Sequence, residues 1–208
     1  MMKRDEVILV GAGGHALSLA EFCGERVKGY LSREANSQMA GDWLGTDEDL
    51  EQNMSNGEKF HIAFVYHGLP VMESRRQLIE KYENSGAEFE SLISPTAIVT
   101  PKSEIESGCA IMSGAIVNRA KLGRHVIVNS GAIIEHDCNV GENTFIGPGA
   151  VIGGFTTIGK NCFIGLGARI GNGLKIGDNV TVAMGAIVNR NLLEPGIYHG
   201  NPLRLHRL

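Results

Sequence analysis

Residues 122–188 read LGRHVIVNSGAIIEHDCNVGENTFIGPGAVIGGFTTIGKNCFIGLGARIGNGLKIGDNVTVAMGAIV, and every sixth residue of this stretch is Leu, Ile or Val. The series is Leu122, Val128, Ile134, Val140, Ile146, Ile152, Ile158, Ile164, Ile170, Ile176, Val182 and Val188. A shorter run, Ile93, Val99, Ile105, Ile111 and Val117, precedes it and is joined to it by a single five-residue step. Two residues before each aliphatic position stands a mostly small side chain, such as Ala97, Ser103, Cys109, Ala115, Ala132, Cys138, Thr144, Ala150, Thr156, Cys162 and Ala168. A period of six suits neither a 3.6-residue helix nor an alternating strand; it suits a hexapeptide β-helix. Each hexad then forms one short strand and a tight corner, and three hexads close a triangular coil. The aliphatic side chains stack inward, one coil on the next, at roughly the 4.8 Å spacing of paired strands. The second slot must be small because the prism is narrow, and the glycines that often follow the aliphatic residue suit corners with positive φ. Five positions before the step and twelve after it predict between five and six coils.

The same frame accounts for the cysteines. Cys109, Cys138 and Cys162 fall in the small inward slot and read as compact buried hydrophobes, while Cys23 lies elsewhere, in an expected helix. No C-x-x-C spacing and no leader-like segment are present, so a reducing, cytoplasmic compartment is expected rather than a disulfide framework or a zinc knuckle. No apolar run approaches the roughly 20 residues of a membrane span. A net charge of −4 and a pI near 6.0 speak against nucleic acid as the main partner. A chain of 208 residues with 28 glycines leaves room for one or two domains.

The first ninety residues have another texture. Glu6–Val10 reads as a short apolar strand, followed by Gly11-Ala12-Gly13-Gly14-His15-Ala16 and a helical stretch, LSLAEFCGE. Strand, glycine turn and helix in that order match the fingerprint G-x-G-x-x-G/A, whose glycines let backbone approach a phosphate and whose helix N-terminus attracts its charge. Val27–Leu31 and His61–Tyr66 read as further strands, Met72–Tyr82 as a helix, and Phe89–Leu92 as the strand leading into the coils. Thr46 and Asp49 have capping-box spacing at the start of a short helix. The alternation predicts a small Rossmann-like α/β domain over residues 1–91 and the β-helix with its tail over 92–208. A dehydrogenase is disfavoured: no second mononucleotide half follows, Ser32-Arg33-Glu34 ends the second strand without an acidic residue in register for a ribose, and no hydride-accepting pocket can be named. The glycine loop reads either as the holder of one phosphorylated or nucleotide-linked ligand or as a structural turn.

Three features together carry a family resemblance: VGAGGHA at 10–16, Leu44-Gly45-Thr46 before a short helix, and Asn129-Ser130-Gly131-Ala132-Ile133-Ile134-Glu135-His136-Asp137-Cys138 inside the hexads, with Gly200-Asn201-Pro202 closing the chain. Over nearly its whole length the chain resembles the bacterial sugar acetyltransferases that include sialic acid O-acetyltransferases and UDP-4-amino-sugar N-acetyltransferases, the NeuD/PglD type. The resemblance implies a left-handed β-helix and a homotrimer with acetyl-CoA in the groove between neighbouring β-helices. Outward apolar residues, Ile133, Phe145, Val151 and Phe163, would want such cover. It also implies that His136 is the catalytic base and Asp137 its acidic partner, which orients the ring. A neutral imidazole accepts the proton of an attacking amine or hydroxyl, and the nucleophile attacks the thioester directly.

The family's donor contacts match Gly147, Gly165-Leu166 and Met184-Gly185, and its polar residue near the substrate amine matches Asn129. A histidine that touches the acetyl donor in some relatives is Phe145 here. Gly11, Gly13, Gly14 and His15 are the acceptor-binding residues that the resemblance implies in the first domain; His15 also reads as a helix-opening surface residue. Relatives often carry paired aspartates where this chain has Ser32-Arg33, and Gly-Asn-Asn where it has Tyr66-His67-Gly68, which puts the uridine carrier in doubt. The reading is N-acetylation of a nucleotide-linked amino sugar, with O-acetylation of a sialic-acid-like or other sugar as the alternative and no metal expected. A zinc enzyme of the carbonic-anhydrase type would need three clustered histidines, but His125 and His136 occupy different hexad slots and no third hexad histidine precedes the tail. A catalytically silent β-helix scaffold is the third class, and a serine acetyltransferase would carry a helical N-terminal domain instead.

Overall fold

The computed structural model describes residues 6–54, 58–65, 72–200 and 204–206. Five strands, β1 (Val7–Val10), β2 (Val27–Leu31), β3 (Asp42–Trp43), β4 (Lys59–Ile62) and β5 (Glu88–Phe89), form a parallel sheet in the order 3-2-1-4-5. All four residues of β1 are buried because the sheet is covered on both sides, as parallel sheets are. Val7 and Leu9 pack with Ala16, Leu19 and Ala20 of helix α1 (Gly14–Cys23). Ile8 and Val10 pack with Leu50 of α2 (Leu50–Met54) and with Ile79 and Tyr82 of α3 (Glu73–Asn84). The expected capping box is present: Thr46 accepts from the Glu48 amide, and Asp49 accepts from the Thr46 amide at 2.7 Å.

Several expected elements are corrected. The third apolar strand starts earlier, at Lys59, and ends at Ile62; Tyr66-His67-Gly68 and Asn201-Pro202 lie outside the described residues. Its helix begins at Glu73 and runs to Asn84, and β1 begins at Val7 rather than Glu6. Phe89–Leu92 is divided between β5 and a separate strand, Leu92–Ile93, which belongs to the coils. The edge strand β3 is exposed and polar at its first residue, so no apolar run announces it.

From Leu92 onward the chain winds as a left-handed parallel β-helix of short strands, two residues long in the coils except for Val180–Val182, stacked in three faces. One face, here the docked face, comprises 92–93, 110–111, 127–128, 145–146, 163–164 and 180–182, capped by 196–199 and the antiparallel 204–206. The open face comprises 98–99, 116–117, 133–134, 151–152, 169–170 and 187–188, and the polar face 104–105, 121–122, 139–140, 157–158 and 175–176. The aliphatic series fills the interior from Ile111 to Val188. Ile93 is the exception. It sits on the first rung, with no coil beneath it, and is 42 % exposed. The small slot supplies inward hydrogen-bond donors: Thr144 and Thr156 hydroxyls and the Cys138 and Cys162 thiols each donate to a glycine carbonyl fifteen residues on, at 2.9, 2.9, 3.2 and 3.0 Å. All four cysteines are free and buried, and burial pushes the thiols of Cys23, Cys109 and Cys162 up to about 11.

The N-terminal domain rests on the docked face. Leu92, Ala110, Met112, Ile127 and Phe145 share one core with residues of β1 and α1, and Phe163 packs against it. Phe145 and Phe163 stack with centroids 4.9 Å apart. The expected cover for these two rings by a neighbouring β-helix is therefore corrected: the chain covers them itself. Ile133 and Val151 remain part-exposed on the open face, beside the more exposed Ile98 and Ile187.

Candidate active site

His136 lies on the edge where the open face turns into the polar face. Its Nδ1 stands 3.0 Å from Asp137 Oδ2. An ionised carboxylate only accepts, so Nδ1 carries the hydrogen, and in the neutral ring Nε2 is the nitrogen with the lone pair. The hydrogen bond from His136, and then Arg119 at 3.5 Å, hold the Asp137 carboxyl below its ordinary value. Asp137 adopts φ +59, a left-handed corner that short polar side chains tolerate. One coil above, Phe155 meets the imidazole edge-on, with centroids 5.0 Å apart. Gly154 leaves room for the ring in this position, since a Cβ there would approach His136 Cε1 and Nε2 to 2.9 Å. The ring is thus fixed on several sides while its side chain stays 45 % exposed, the arrangement of a base that must reach a substrate.

The candidate acceptor-side residues gather in a different place. Gly11, Gly13, Gly14, His15 and Asn129 line one cavity of about 610 Å³ between the glycine loop and the docked face. The rest of its wall is apolar except for Ser18: Ala12, Ala63, Phe64, Val65, Met112 and Phe145. His15 Nε2 is buried without a hydrogen-bond partner, and burial, followed by the neighbouring His61 and Arg75, pushes the ring down to about 3. The imidazole is therefore neutral, and its unpartnered Nε2 is buried within the wall of this cavity. Gly13 caps α1 with no side-chain bond, leaving the first-turn amides facing the same space. A second cavity of about 910 Å³ shares Gly11, Ala12 and Phe64 and extends past the ends of β1 and β2 to Ser32, Arg33, Asp47 and Lys81. Both lie at the carboxyl ends of the parallel strands, next to the reversal of strand order at β1, where open α/β sheets bind ligands.

Asn129 also begins a ladder. The corners after the docked face stack as Asn129-Ser130-Gly131, Gly147-Pro148-Gly149, Gly165-Leu166-Gly167 and Ala183-Met184-Gly185, each third-position amide bonding the coil below at 2.8–3.0 Å. The candidate donor residues Gly147, Gly165, Leu166, Met184 and Gly185 hence form one continuous glycine edge running up from the 610 Å³ cavity. Gly165 has no room for a side chain, since a Cβ would come within 2.5 Å of the Met184 amide nitrogen. Leu166 and Met184 are 52 % and 77 % exposed and give this edge an apolar surface that suits a pantetheine arm. His136 and Asp137 do not join it within one chain; they stand across the open face.

Several residues escape sequence reasoning. Gly154 and Phe155 frame His136, while Phe145, read from the sequence as the place of a donor-side histidine, lines the 610 Å³ cavity. The eighteen-residue coil could have found Gly154 and Phe155, because Gly154 stands one turn above His136. His61 and His125 are fully buried at the seam between domains. His61 Nδ1 lies 3.0 Å from the Glu90 carbonyl, and His125 packs edge-on against Phe89 at 4.5 Å with Nε2 3.3 Å from Glu83. Burial first, and Arg75 as a further cause, push His61 to about 4 and His125 to about 3. Among the described residues, no three His, Cys, Asp or Glu side chains gather to hold a metal.

The seam histidines set a pH dependence. Both are neutral when folded and regain an ordinary value near 6.5 when exposed, so below that pH the unfolded chain binds more protons. Stability is fully present above about pH 7 and declines as pH falls from 6.5 toward 4 and 3. Urea midpoints at pH 7.5, 6.0 and 5.0 should fall in that order, and His125→Asn, which tolerates φ +60, should flatten the slope. An unchanged slope in that variant contradicts the assignment.

Residues 119–154 match the family described as bacterial transferase hexapeptide (six repeats), and 155–190 the hexapeptide repeat of succinyl-transferase. The acetyltransferase domain of PglB from Neisseria gonorrhoeae is 30 % identical with a TM-score of 0.87, over 98 % of this chain and 100 % of that one. PerB from Caulobacter crescentus, in complex with CoA and GDP-perosamine, is 29 % identical over 97 % of each chain, with a TM-score of 0.86. WeeI from Acinetobacter baumannii, 21 % identical over 97 % of this chain and 99 % of that one, shares the fold with a TM-score of 0.83.

Proposed function

The chain belongs to the sugar acetyltransferases of the hexapeptide-repeat superfamily, and from that premise we propose that it transfers acetyl from acetyl-CoA to the amino group of a nucleotide-linked amino sugar. The observation that carries the acceptor side is the cavity between glycine loop and β-helix, where His15 Nε2 is buried without a partner. The larger cavity past Ser32 and Arg33 takes the nucleotide, and the smaller one takes the sugar beside Asn129.

His136 is the general base. Bound acetyl-CoA supplies the acetyl thioester. Asp137 holds the Nδ1 hydrogen, and Nε2 removes the proton from the amine as its nitrogen bonds to the acetyl carbonyl carbon. The carbon–sulfur bond then breaks, and His136 returns the proton to the departing thiolate. Gly147, Gly165, Leu166, Met184 and Gly185 hold the donor along the glycine edge.

A homotrimer completes the site. The glycine edge and His136 border opposite sides of the open face, whose Ile98, Ile116, Ile133, Val151 and Ile187 form an apolar strip interrupted by Arg169. Head-to-tail packing of this face around a threefold axis brings the glycine edge of one copy against His136 of the next. Four buried free thiols suit a cytoplasmic setting, and no helix among the described residues is long and apolar enough to cross a membrane.

Thiol release from acetyl-CoA, measured against UDP-, GDP- and dTDP-linked 4-amino sugars, free sialic acid and serine, tests the reading. Turnover confined to one nucleotide amino sugar is expected. Turnover only with a hydroxyl acceptor moves the enzyme to O-acetylation, and silence with every acceptor favours a scaffold.

A further inference from the structure

Arg75 is fully buried, and its guanidinium joins the two domains. On the N-terminal side, Nε donates to the Phe64 carbonyl at 3.1 Å and Nη2 to the Ile62 carbonyl at 3.4 Å, both at the end of β4. On the β-helix side, Nη1 donates to the His125 carbonyl at 2.9 Å and to Asn143 Oδ1. Asn143 in turn donates to the Met72 carbonyl at 3.4 Å and to Asn161 Oδ1 at 2.8 Å, tying the contact to the next coil. None of the four acceptors of Arg75 is a carboxylate. A buried cation bonded to neutral acceptors alone gives weak net stabilisation, so its value lies in geometry.

The rest of the seam explains why geometry is needed. Leu92, Ala110, Ile127 and Phe145 bury apolar surface against the N-terminal domain, but burial is non-directional and fixes no register. Glu83, which meets Arg124 at 2.8 Å and His125 at 3.3 Å, ties the far end of α3 to the β-helix but not the cavity wall. The planar fork of Arg75 does. What it holds is the wall of the substrate site: Phe64 lines both cavities, and Ala63 and Val65 line the smaller. Gly11 closes on the same segment, where a Cβ would stand 3.2 Å from the Ala63 carbonyl. The opposite wall, Met112, Asn129 and Phe145, belongs to the β-helix. The width of the cavity is therefore the distance between two domains.

We propose that Arg75 is the positioning residue that registers the acceptor domain on the β-helix, setting the sugar site without touching the donor edge. The inference rests on the reading that this cavity receives the amino sugar. Lysine at this place keeps the charge but loses the fork, and Asn143→Gly removes one of the two β-helix acceptors while accommodating φ +52.

In the full-length chain, Arg75→Lys and Asn143→Gly should each raise KM for the nucleotide amino sugar by about tenfold or more, since small misplacements of a bound reactant are costly. The KM for acetyl-CoA and the Kd of the free nucleoside diphosphate should stay within about twofold. Amide exchange at residues 62–65 should quicken while 122–188 stay protected. A general folding defect would instead weaken donor and acceptor together. Equal losses in both KM values, or unchanged acceptor KM with unchanged exchange, overturn the proposal. A wild-type chain silent on every amino sugar would sink the assigned reaction, while the exchange comparison would still decide whether Arg75 sets the register.

Discussion

Replacing His136 with alanine should lower acetyl transfer by about 10²- to 10⁴-fold, the usual contribution of a positioned general base. The loss should fall on kcat, with the KM for acetyl-CoA little changed, because a general base acts in the transition state while the donor is held by the glycine edge. The fold should survive: the side chain is 45 % exposed, outside the aliphatic stack, and bonded only to Asp137. Steady-state kinetics with the true acceptor, beside sedimentation to read the assembly, checks both halves. Wild-type turnover in the variant would remove the histidine from the mechanism.

The second large effect comes from Gly13→Leu. A Cβ at Gly13 meets nothing within 4 Å, and the residue has φ −85, so the substitution strains neither packing nor backbone. The added side chain projects instead toward the cavity shared with His15 and Asn129. Displacing the sugar by about 1 Å is enough for a loss near 10²-fold, and the loss should fall on the acceptor while acetyl-CoA binding holds. Calorimetric titration of each substrate separates the two. Equal weakening of both would point to misfolding, and no weakening would move the acceptor out of this cavity.

What could be read from the chain divides by the range of the interactions involved. The β-helix is legible because one constraint, an aliphatic residue filling a narrow prism, repeats in every hexad from Ile111 to Val188. The capping box at Thr46 and Asp49 is legible because its bonds close within three residues. The contact between His136 and Asp137 is legible for the same reason, the two being neighbours. Arg75 was not. A charged residue on an amphipathic helix reads as solvated, and the carbonyls that bury it come from β4 and from a corner fifty residues on. Phe145 and Phe163 show the remaining ambiguity: an outward aromatic residue announces that it needs cover, and nothing local says whether a second copy or the same chain provides it. The strand β3 carries no pattern at all, only two residues on an edge.

The five-residue step has a consequence of its own. Val117 pairs with Ile134 and Leu122 with Val140, yet four residues join the lower pair and five the upper. The residue lost from the lower corner is the counterpart of His136, and the counterpart one coil above is Gly154. In the arithmetic of repeats, the chain shifts phase once, beneath its base, and keeps one frame from there onward. Whole coils of eighteen residues could be added or deleted beyond Phe155 without changing the phase at His136. A single residue inserted between Asn118 and Arg119 would make the repeat perfect and place a side chain against the one ring that must stay free. The β-helix is modular in length, and the irregular corner is the part of it that is not.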